Sequence, residues 1–246
     1  MNKIEDIQYN SQAFQDKFVL NVLKFKTGGR FIELGANDPV NISNTVLLEK
    51  KYNWQGIMVE YDTKFRDSYK QQRSSCHHVF QDATTVDYAG ILQQLNYPSS
   101  MDYLQIDLEP GNGSTLKSLQ LLDRTVFDNY KFATVTFEHD IYNRSSPFVD
   151  ARNQSRQIFE RRGYVRVFSD INNDGWLNNA SNKEKLKNGE TISSSFYSGE
   201  YPFEDWYVHP DLVDMDYVNS IIEKNKNNYI PNPICGNTIN FLSIDY

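Results

Sequence analysis

Acidic side chains follow four of the predicted strands, at the point where each strand ends. The residues are Glu33, Glu60, Asp107 with Glu109, and Glu138 with Asp140. Ligands of parallel α/β sheets bind beyond the carboxyl ends of the strands, so these acids predict a functional rim there. The structural alternative is that each acid only terminates its strand.

Two of these segments carry the residues most suited to catalysis. Asp107-x-Glu109 and Glu138-His139-Asp140 follow the fourth and fifth strands, which are neighbours in the usual strand order, so their side chains can converge. Several carboxylates in one place repel each other unless a cation neutralises them. Carboxylates with at most one imidazole suit Mg²⁺ or Mn²⁺, and a bound divalent metal lowers the pKa of a coordinated hydroxyl. The alternative is a cluster of salt bridges without metal.

The turn after the first strand predicts a nucleotide pocket. Gly35 follows Glu33-Leu34 and lets the backbone approach a ligand closely. One glycine stands where a dinucleotide fingerprint needs three, which argues against NAD or FAD. Glu60, at the end of the second strand, is placed to accept hydrogen bonds from ribose hydroxyls, and Asp82 follows the third strand, where an adenine amino group can be met.

Strand and helix patterns alternate along the chain, which predicts an α/β fold with a mostly parallel seven-stranded sheet and helices on both faces. The predicted strands are Arg30–Leu34, Gly56–Glu60, His78–Phe80, Tyr103–Asp107, Phe132–Phe137, Tyr164–Phe168 and Thr238–Ile244. The predicted helices after the first are Asn44–Lys51, Lys64–Arg73, Val86–Leu95, Thr115–Leu122 and Ser155–Arg162. We expect one domain over residues 1–246, with an N-terminal helix over 11–27 that Ser11 caps and a lid or substrate insertion over 172–233.

Charge and composition exclude several classes. The net charge of −7 over 246 residues argues against a nucleic-acid groove or binding to an acidic membrane surface. No signal peptide or membrane-spanning segment is recognisable, so a cytoplasmic protein is expected. The two cysteines form no CxxC pair, so no zinc knuckle or redox motif is predicted.

Several motifs between Ser11 and Phe168 together resemble the FkbM-type class I methyltransferases. They are Ser11-Gln12-Ala13-Phe14-Gln15-Asp16, Phe31-Ile32-Glu33-Leu34-Gly35-Ala36-Asn37-Asp38, Ser43-Asn44-Thr45, Trp54-Gln55-Gly56-Ile57, Ile106-Asp107-Leu108-Glu109 and Phe137-Glu138-His139-Asp140. The sequence departs from the family pattern at Pro39, which stands where a glycine is usual.

The resemblance implies a Rossmann-like class I methyltransferase fold and S-adenosylmethionine (SAM) as cofactor. It implies that Glu33 and Gly35 lie near the methionine and ribose part, with Asn37 in the same loop. Glu60 is implied at the ribose and Asp82 near the adenine. Carboxylates and aromatic faces such as that of Tyr61 suit a sulfonium cation.

Metal-dependent sugar O-methyltransferases of this fold are similar in their acidic strand ends. Their pattern implies Asp107, Glu138 and His139 as metal ligands and Glu109 as the general base. His139 stands where an acid is more typical, so the alternative assignment makes His139 the base and Asp140 the third ligand.

These observations predict an enzyme that methylates a hydroxyl of a sugar, nucleotide sugar or oligosaccharide. One alternative is a metal-free N- or O-methyltransferase of another small molecule. The other is a SAM-binding module without catalytic activity.

Overall fold

The predicted alternation of strands and helices is confirmed by the computed structural model, which describes residues 7–172 and 201–246. The strands are β1 (Arg30–Leu34), β2 (Gln55–Glu60), β3 (His77–Phe80), β4 (Ser100–Ile106), β5 (Lys131–Glu138), β6 (Val165–Asn172), β7 (Pro202–Val208), β8 (Tyr229–Asn232) and β9 (Gly236–Asn240). The helices are α1 (Gln15–Val22), α2 (Val46–Tyr52), α3 (Arg66–Gln72), α4 (Tyr88–Gln94), α5 (Ser114–Thr125), α6 (Ser146–Arg161) and α7 (Met215–Asn225).

The strands form one sheet in the order β3-β2-β1-β4-β5-β7-β6-β9-β8. Strands β1 to β5 run parallel to their neighbours in this order, whereas β7 is antiparallel to both β5 and β6. This is the Rossmann-like class I methyltransferase fold. The sheet has nine strands in the described residues rather than the predicted seven, because β7 and β8 add to it. The predicted last strand, Thr238–Ile244, corresponds to β9.

Helices cover both faces of the sheet, and each face has its own apolar core. On the α1 face, α1, α2, α3 and α7 pack on alternate strand residues such as Tyr103 and Trp206. On the α6 face, α4, α5 and α6 pack on the intervening residues, such as Phe137 and Tyr207. Successive residues of a strand point to opposite faces, so neighbouring residues at a strand end enter different environments.

The position of strand β7 shows that the predicted lid or substrate insertion over 172–233 is wrong for the residues that follow 200. Residues 202–208 form a fully buried strand inside the sheet, and α7 and β8 follow it, so residues 201–232 are not an irregular lid. The charged Glu204 and Asp205 interrupt the apolar pattern of β7, which is why the sequence did not indicate a central strand. Residues 173–200 of the predicted insertion lie outside the described residues.

The first helix is shorter than the predicted helix over 11–27. It begins at Gln15, after Phe14 in a left-handed conformation, and ends at Val22 because Lys24 and Phe25 also adopt positive φ angles. The Ser11 hydroxyl accepts a hydrogen bond of 3.1 Å from the backbone amide of Asp16 in the first turn, as a capping residue does, and it donates to the Asp16 carboxylate, although Phe14 occupies the N-cap position. The sixth helix begins nine residues earlier than the predicted start at Ser155, at Ser146, with Pro147 in its first turn.

Within residues 7–172 and 201–246, none of the helices combines the length and the apolar character needed to cross a membrane.

Candidate functional site

A pocket of about 260 Å³ opens where β1, β2 and β4 end. It is lined by Gln12, Glu33, Gly35, Ala36, Asn37, Asn41, Ile42, Ser43, Asn44, Glu60, Asp107 and Leu108. Four of the six predicted cofactor residues therefore line the same pocket as Asp107. Concave, partly polar sites at the strand ends of an α/β sheet are typical places for a ligand.

Gly35 has its place in this pocket for a steric reason. Its φ angle is +82°, and a Cβ atom added to it would lie 1.7 Å from the carbonyl oxygen of Asp107. A side chain here would push the ends of β1 and β4 apart. Gly35 therefore sets the close approach of the two strand ends that carry Glu33 and Asp107.

Glu33 lies at the base of the pocket in a network that the sequence did not reveal. Its carboxylate accepts a hydrogen bond of 2.6 Å from the Thr45 hydroxyl, which in turn accepts one of 2.7 Å from the Arg73 guanidinium. Burial raises the pKa of Glu33 to about 7, and the positive charge of Arg73 partly offsets this rise. The glutamate is therefore poised between its neutral and ionised forms.

Arg73 is fully buried and ties the loop after β1 to α2. It donates to the carbonyl of Pro39 at 2.9 Å and to the hydroxyl of Ser43 at 3.0 Å, and it forms an ion pair with Glu49. Its partners lie 24 to 34 residues away in sequence, so no local pattern could have indicated them.

Glu60 organises the pocket entrance. Its two carboxylate oxygens accept hydrogen bonds of 2.7 Å from the backbone amides of Asn37 and Asp62. Asn37 has a φ angle of +43°, a left-handed conformation that asparagine tolerates. Glu60 thus holds the loop that carries Asn37 against the end of β2.

The remaining two predicted cofactor residues do not line the pocket. Tyr61 is 76% exposed. Asp82 is also exposed, and its carboxylate accepts hydrogen bonds from the amide and hydroxyl of Thr84, at 2.9 and 2.8 Å. Their predicted contacts with a sulfonium and an adenine stay predictions.

Four carboxyl groups lie together beside the pocket on the α1 face, and we call them the open acid cluster: Asp107, Glu138, Asp140 and Glu204. Glu138 on β5 lies directly opposite Glu204 on β7. Like charges facing each other across a strand pair destabilise a sheet. The charged neighbours that act on these four groups are other carboxylates, since Asp107 raises the pKa of Glu138, Asp140 and Glu204.

Burial is the main cause of the shifts in this cluster. It raises the pKa of Asp140 to about 7 and that of Glu204 to about 8. Asp107 and Glu138 are hydrogen-bonded to each other, and burial followed by the charge of Asp107 raises the pKa of Glu138 well above its usual value. The pair therefore holds a proton at pH values where two isolated carboxyl groups would both be ionised.

Donors from α1 and β7 position Glu204 within the cluster. The Gln15 amide and the Trp206 indole each donate to the same oxygen of Glu204 at 2.9 Å. The ring of Trp206 packs against Phe18 of α1 at 4.7 Å between centroids. The short helix α1 thus covers this side of the cluster, and the sequence did not indicate that Glu204 belongs to it.

Glu109 lies near the cluster at the surface. One of its oxygens accepts a hydrogen bond of 2.8 Å from the Gly111 amide, which begins the turn before α5. Its charge raises the pKa of Asp140, so the two carboxylates act on each other.

His139 points away from the open acid cluster, to the α6 face. Its Nε2 atom lies 3.5 Å from Asp205 and 3.6 Å from Asp170, and the amide of Ile141 donates to its Nδ1 at 3.2 Å. Because Glu138 ends β5 and His139 follows it, the alternation of strand residues is the signal that could have separated them.

Two arginines complete this second group, which we call the arginine-bound cluster: His139, Arg152, Arg156, Asp170 and Asp205. Arg152 binds both carboxylate oxygens of Asp170, at 2.6 and 2.7 Å. Arg156 binds both oxygens of Asp205, at 2.6 and 2.8 Å, and also reaches Asp170 at 2.9 Å. Bidentate pairs of this kind are strong and fix side-chain geometry.

The structure brings together only part of the predicted metal site: Asp107, Glu138 and Asp140 lie in the open acid cluster, whereas His139 lies on the other face of the sheet. Among the described residues, the one group of three potential donors within 4.8 Å of each other is His139, Asp170 and Asp205, whose carboxylates already bind arginines. His139 therefore does not join Asp107 and Glu138, nor does it reach the pocket as a base. The alternative set with Asp140 in place of His139 forms no such group either. The residues present do not fit a divalent metal in this arrangement.

No family model matches this chain, and a search of curated proteins finds no similar sequence. Among solved structures, a TehB-like SAM-dependent methyltransferase from Corynebacterium glutamicum is 11% identical, with a TM-score of 0.46 over 83% of this chain and 90% of that one. A SAM-dependent methyltransferase from Geobacter sulfurreducens in complex with S-adenosyl-L-homocysteine is 13% identical, with a TM-score of 0.47 over 83% of this chain and 92% of that one. Phosphoethanolamine N-methyltransferase 2 from Haemonchus contortus is 14% identical, with a TM-score of 0.45 over 80% of this chain and 56% of that one. These likenesses are distant, and none of them identifies an acceptor.

Proposed function

We propose that this protein is an enzyme that transfers a methyl group from SAM to a hydroxyl of a sugar or glycan. The observation that carries the proposal is a single pocket lined by Glu33, Gly35, Asn37, Glu60 and Asp107, with the open acid cluster beside it. SAM has a ribose diol, an ammonium group and a sulfonium group, which carboxylates bind well. The pocket offers Glu60 toward the diol and Glu33 and Asp107 toward the cationic groups.

In the proposed reaction, an oxygen lone pair of the acceptor attacks the methyl carbon. The bond between that carbon and sulfur breaks, its electrons stay on sulfur, and S-adenosylhomocysteine (SAH) leaves. The hydroxyl proton passes to a carboxylate of the protein. Asp140 suits this role because its pKa of about 7 lies near the operating pH, where a general base is most effective. Glu109, the base implied by the sequence, is the second candidate.

The predicted divalent metal is not part of this proposal, because His139 lies on the other face of the sheet and Asp107, Glu138 and Asp140 do not form a group of three donors within 4.8 Å of one another. In the proposed reaction, the chain's own residues bind and orient the reactants and accept the proton. A well-oriented pair of reactants can by itself lower a barrier by roughly 7–11 kcal/mol.

Calorimetric titration with SAM and SAH tests the cofactor. We expect binding to the wild-type protein and its loss in Gly35→Val, whose side chain would meet the Asp107 carbonyl. The variant must first be shown by circular dichroism to be folded, and Gly236→Val, at an open surface turn, is the matched control. Absence of SAH binding to the folded wild-type protein would refute the proposed function.

Release of SAH with a panel of sugars and oligosaccharides tests the acceptor, in parallel with and without EDTA. We expect turnover that chelation does not change. Loss of turnover in EDTA and recovery on adding Mn²⁺ would show that the ligands rearrange around a metal. Methylation confined to non-sugar acceptors would overturn the sugar assignment while leaving methyl transfer intact.

A further inference from the structure

Among the described residues, the open acid cluster has no lysine or arginine paired with it. No salt bridge in this part of the chain joins such a residue to Asp107, Glu138, Asp140 or Glu204, and the charges that raise the pKa of these groups are negative. Buried ionised groups are generally paired or bound to a ligand. The hydrogen bonds from Gln15 and Trp206 satisfy one oxygen of Glu204 but supply no positive charge.

The arginine-bound cluster shows that carboxylates of β6 and β7 do receive cations elsewhere, from Arg152 and Arg156 of α6. Asp205 is the next residue after Glu204, yet its carboxylate binds Arg156 at two atoms. The missing positive charge is therefore specific to the side of β7 that faces the pocket.

An independent observation at Gln105 points to a ligand. Its side chain is fully buried, and a hydrogen bond from it to the carboxylate of Asp107 opposes the rise in the pKa of that group, whereas its amide oxygen has no hydrogen-bond partner among the described residues. Buried polar groups are seldom left unpaired. A ligand that offers a donor next to Asp107 would satisfy this oxygen.

SAM accounts for only part of the negative charge. It brings one net positive charge, and its ammonium and sulfonium groups face Glu33 as well as Asp107 in the proposed pocket. The carboxyl groups of β5 and β7 lie beyond, where the acceptor must approach the methyl group. Burial raises the pKa of Glu138 and of Glu204, and a cationic group on the acceptor would lower both values and so stabilise the ionised carboxylates.

We infer that the acceptor carries a protonated amine next to the methylated hydroxyl, as an amino sugar does, and that the open acid cluster binds this amine. The ammonium group donates to Asp107 and Asp140 and to the oxygen of Gln105, while the neighbouring hydroxyl lies at the methyl group. This inference rests on the proposed function and specifies its acceptor.

Sinefungin tests the cation site directly. This SAM analogue carries an amine-bearing carbon in place of the sulfonium, so it presents an ammonium group at the reaction centre, whereas SAH presents a neutral sulfur. Calorimetry with the full chain at pH 7.5 should give at least tenfold tighter binding of sinefungin than of SAH. Asp140→Asn removes one carboxylate without changing its shape and should lower this ratio at least threefold. Asp67→Asn makes the same change on the exposed surface of α3 and should leave the ratio unchanged.

A second arm compares glucosamine, glucose and N-acetylglucosamine as acceptors, with SAH release as the readout. We expect turnover with the free amine to exceed that with the other two. Equal affinity for sinefungin and SAH, or faster turnover of a neutral sugar, would overturn the inference while leaving SAM binding intact. If no sugar of the panel reacts, the ratio of the affinities for sinefungin and SAH decides whether the inference stands. Failure of both SAH and sinefungin to bind would refute the proposed function itself.

Discussion

The open acid cluster and the arginine-bound cluster are built from adjacent residues of the same strands, yet their electrostatics are opposite. Glu138 and Glu204 face each other on the α1 face with no lysine or arginine of residues 7–172 and 201–246 paired to them, whereas Asp205 and Asp170 on the α6 face bind two arginines. Both groups are buried or half-buried, so burial alone does not distinguish them. They differ in whether a cation compensates their negative charge.

The difference separates a structural role from a ligand-binding role. The arginine-bound cluster is complete by itself, and it fastens α6 to β6 and β7 beneath the turn that carries Asp140. The amides of His139 and Asp140 both donate to the carbonyl of Phe203, at 2.7 and 2.9 Å, so this turn is also fixed to β7. The open acid cluster is therefore held rigidly while its charge remains uncompensated. Preorganised charge of this kind is what a transition state or a cationic ligand can use.

The largest effect on stability is expected from breaking the arginine-bound cluster. Arg156→Met leaves Asp205 buried without its bidentate partner, and loss of one member of a buried ion pair costs about 3–5 kcal/mol. Urea denaturation followed by circular dichroism should show this loss. Arg166→Met, which removes a partly exposed pair with Glu160 at 3.6 Å, is the matched control and should cost less than about 1 kcal/mol. Similar losses for the two variants would contradict the structural role.

The next largest effect concerns activity. Asp140→Asn should lower kcat by about 100-fold or more, because general-base catalysis contributes roughly 10²–10⁴, while the Kd of SAH changes little. Glu109→Gln tests the second candidate base and should have a smaller effect. A larger loss in Glu109→Gln than in Asp140→Asn would restore the base implied by the sequence.

A smaller effect on the free energy of unfolding is expected from a change of pH. The direction of this pH dependence distinguishes the two clusters. The folded-state pKa values of Glu204, about 8, and Glu33, about 7, lie above the value of 4.5 for an unperturbed glutamate. Between pH 4.5 and these raised pKa values, the folded protein holds protons that the unfolded chain has lost. The free energy of unfolding should therefore fall as pH rises from about 5 to 8, by at most about 1.4 kcal/mol per pH unit for each group.

Urea denaturation at pH 5.5, 6.5, 7.5 and 8.5 measures this slope. Glu204→Gln mimics the protonated side chain and should flatten it, whereas Glu223→Gln, on the exposed side of α7, should not. A stability that rises across this range in the wild-type protein would show that the open acid cluster is ionised and compensated in the folded state.

The sequence predicted the order of the first six strands and the acids at their ends, because local apolar runs and turns determine both. It also predicted that Glu33, Gly35, Glu60 and Asp107 belong together, since the parallel topology alone brings those strand ends to one edge. It did not predict Arg73, whose partners are distant in sequence and were brought together by the packing of α2 against α3.

Strand β7 and His139 show a different limit. The charges of Glu204 and Asp205 are tolerated inside the sheet because partners from α1 and α6 receive them, and such partners are invisible to a local pattern. His139 was placed with Glu138 by adjacency, although adjacency at a strand end separates side chains rather than joining them. The prediction that His139 shares a metal ion with Asp107 and Glu138 is wrong for this reason.

The insertion of β7 between β5 and β6 also has a consequence for how the protein matures. Both flanking strands precede β7 in the chain, so β5 and β6 must stand one strand apart until residues 202–208 arrive between them. Contacts between such distant segments form late and slowly. A nascent chain that has emerged only as far as β6 would leave one edge of β5 and both edges of β6 unpaired and would lack Glu204, so the open acid cluster would be among the last parts of the molecule to form.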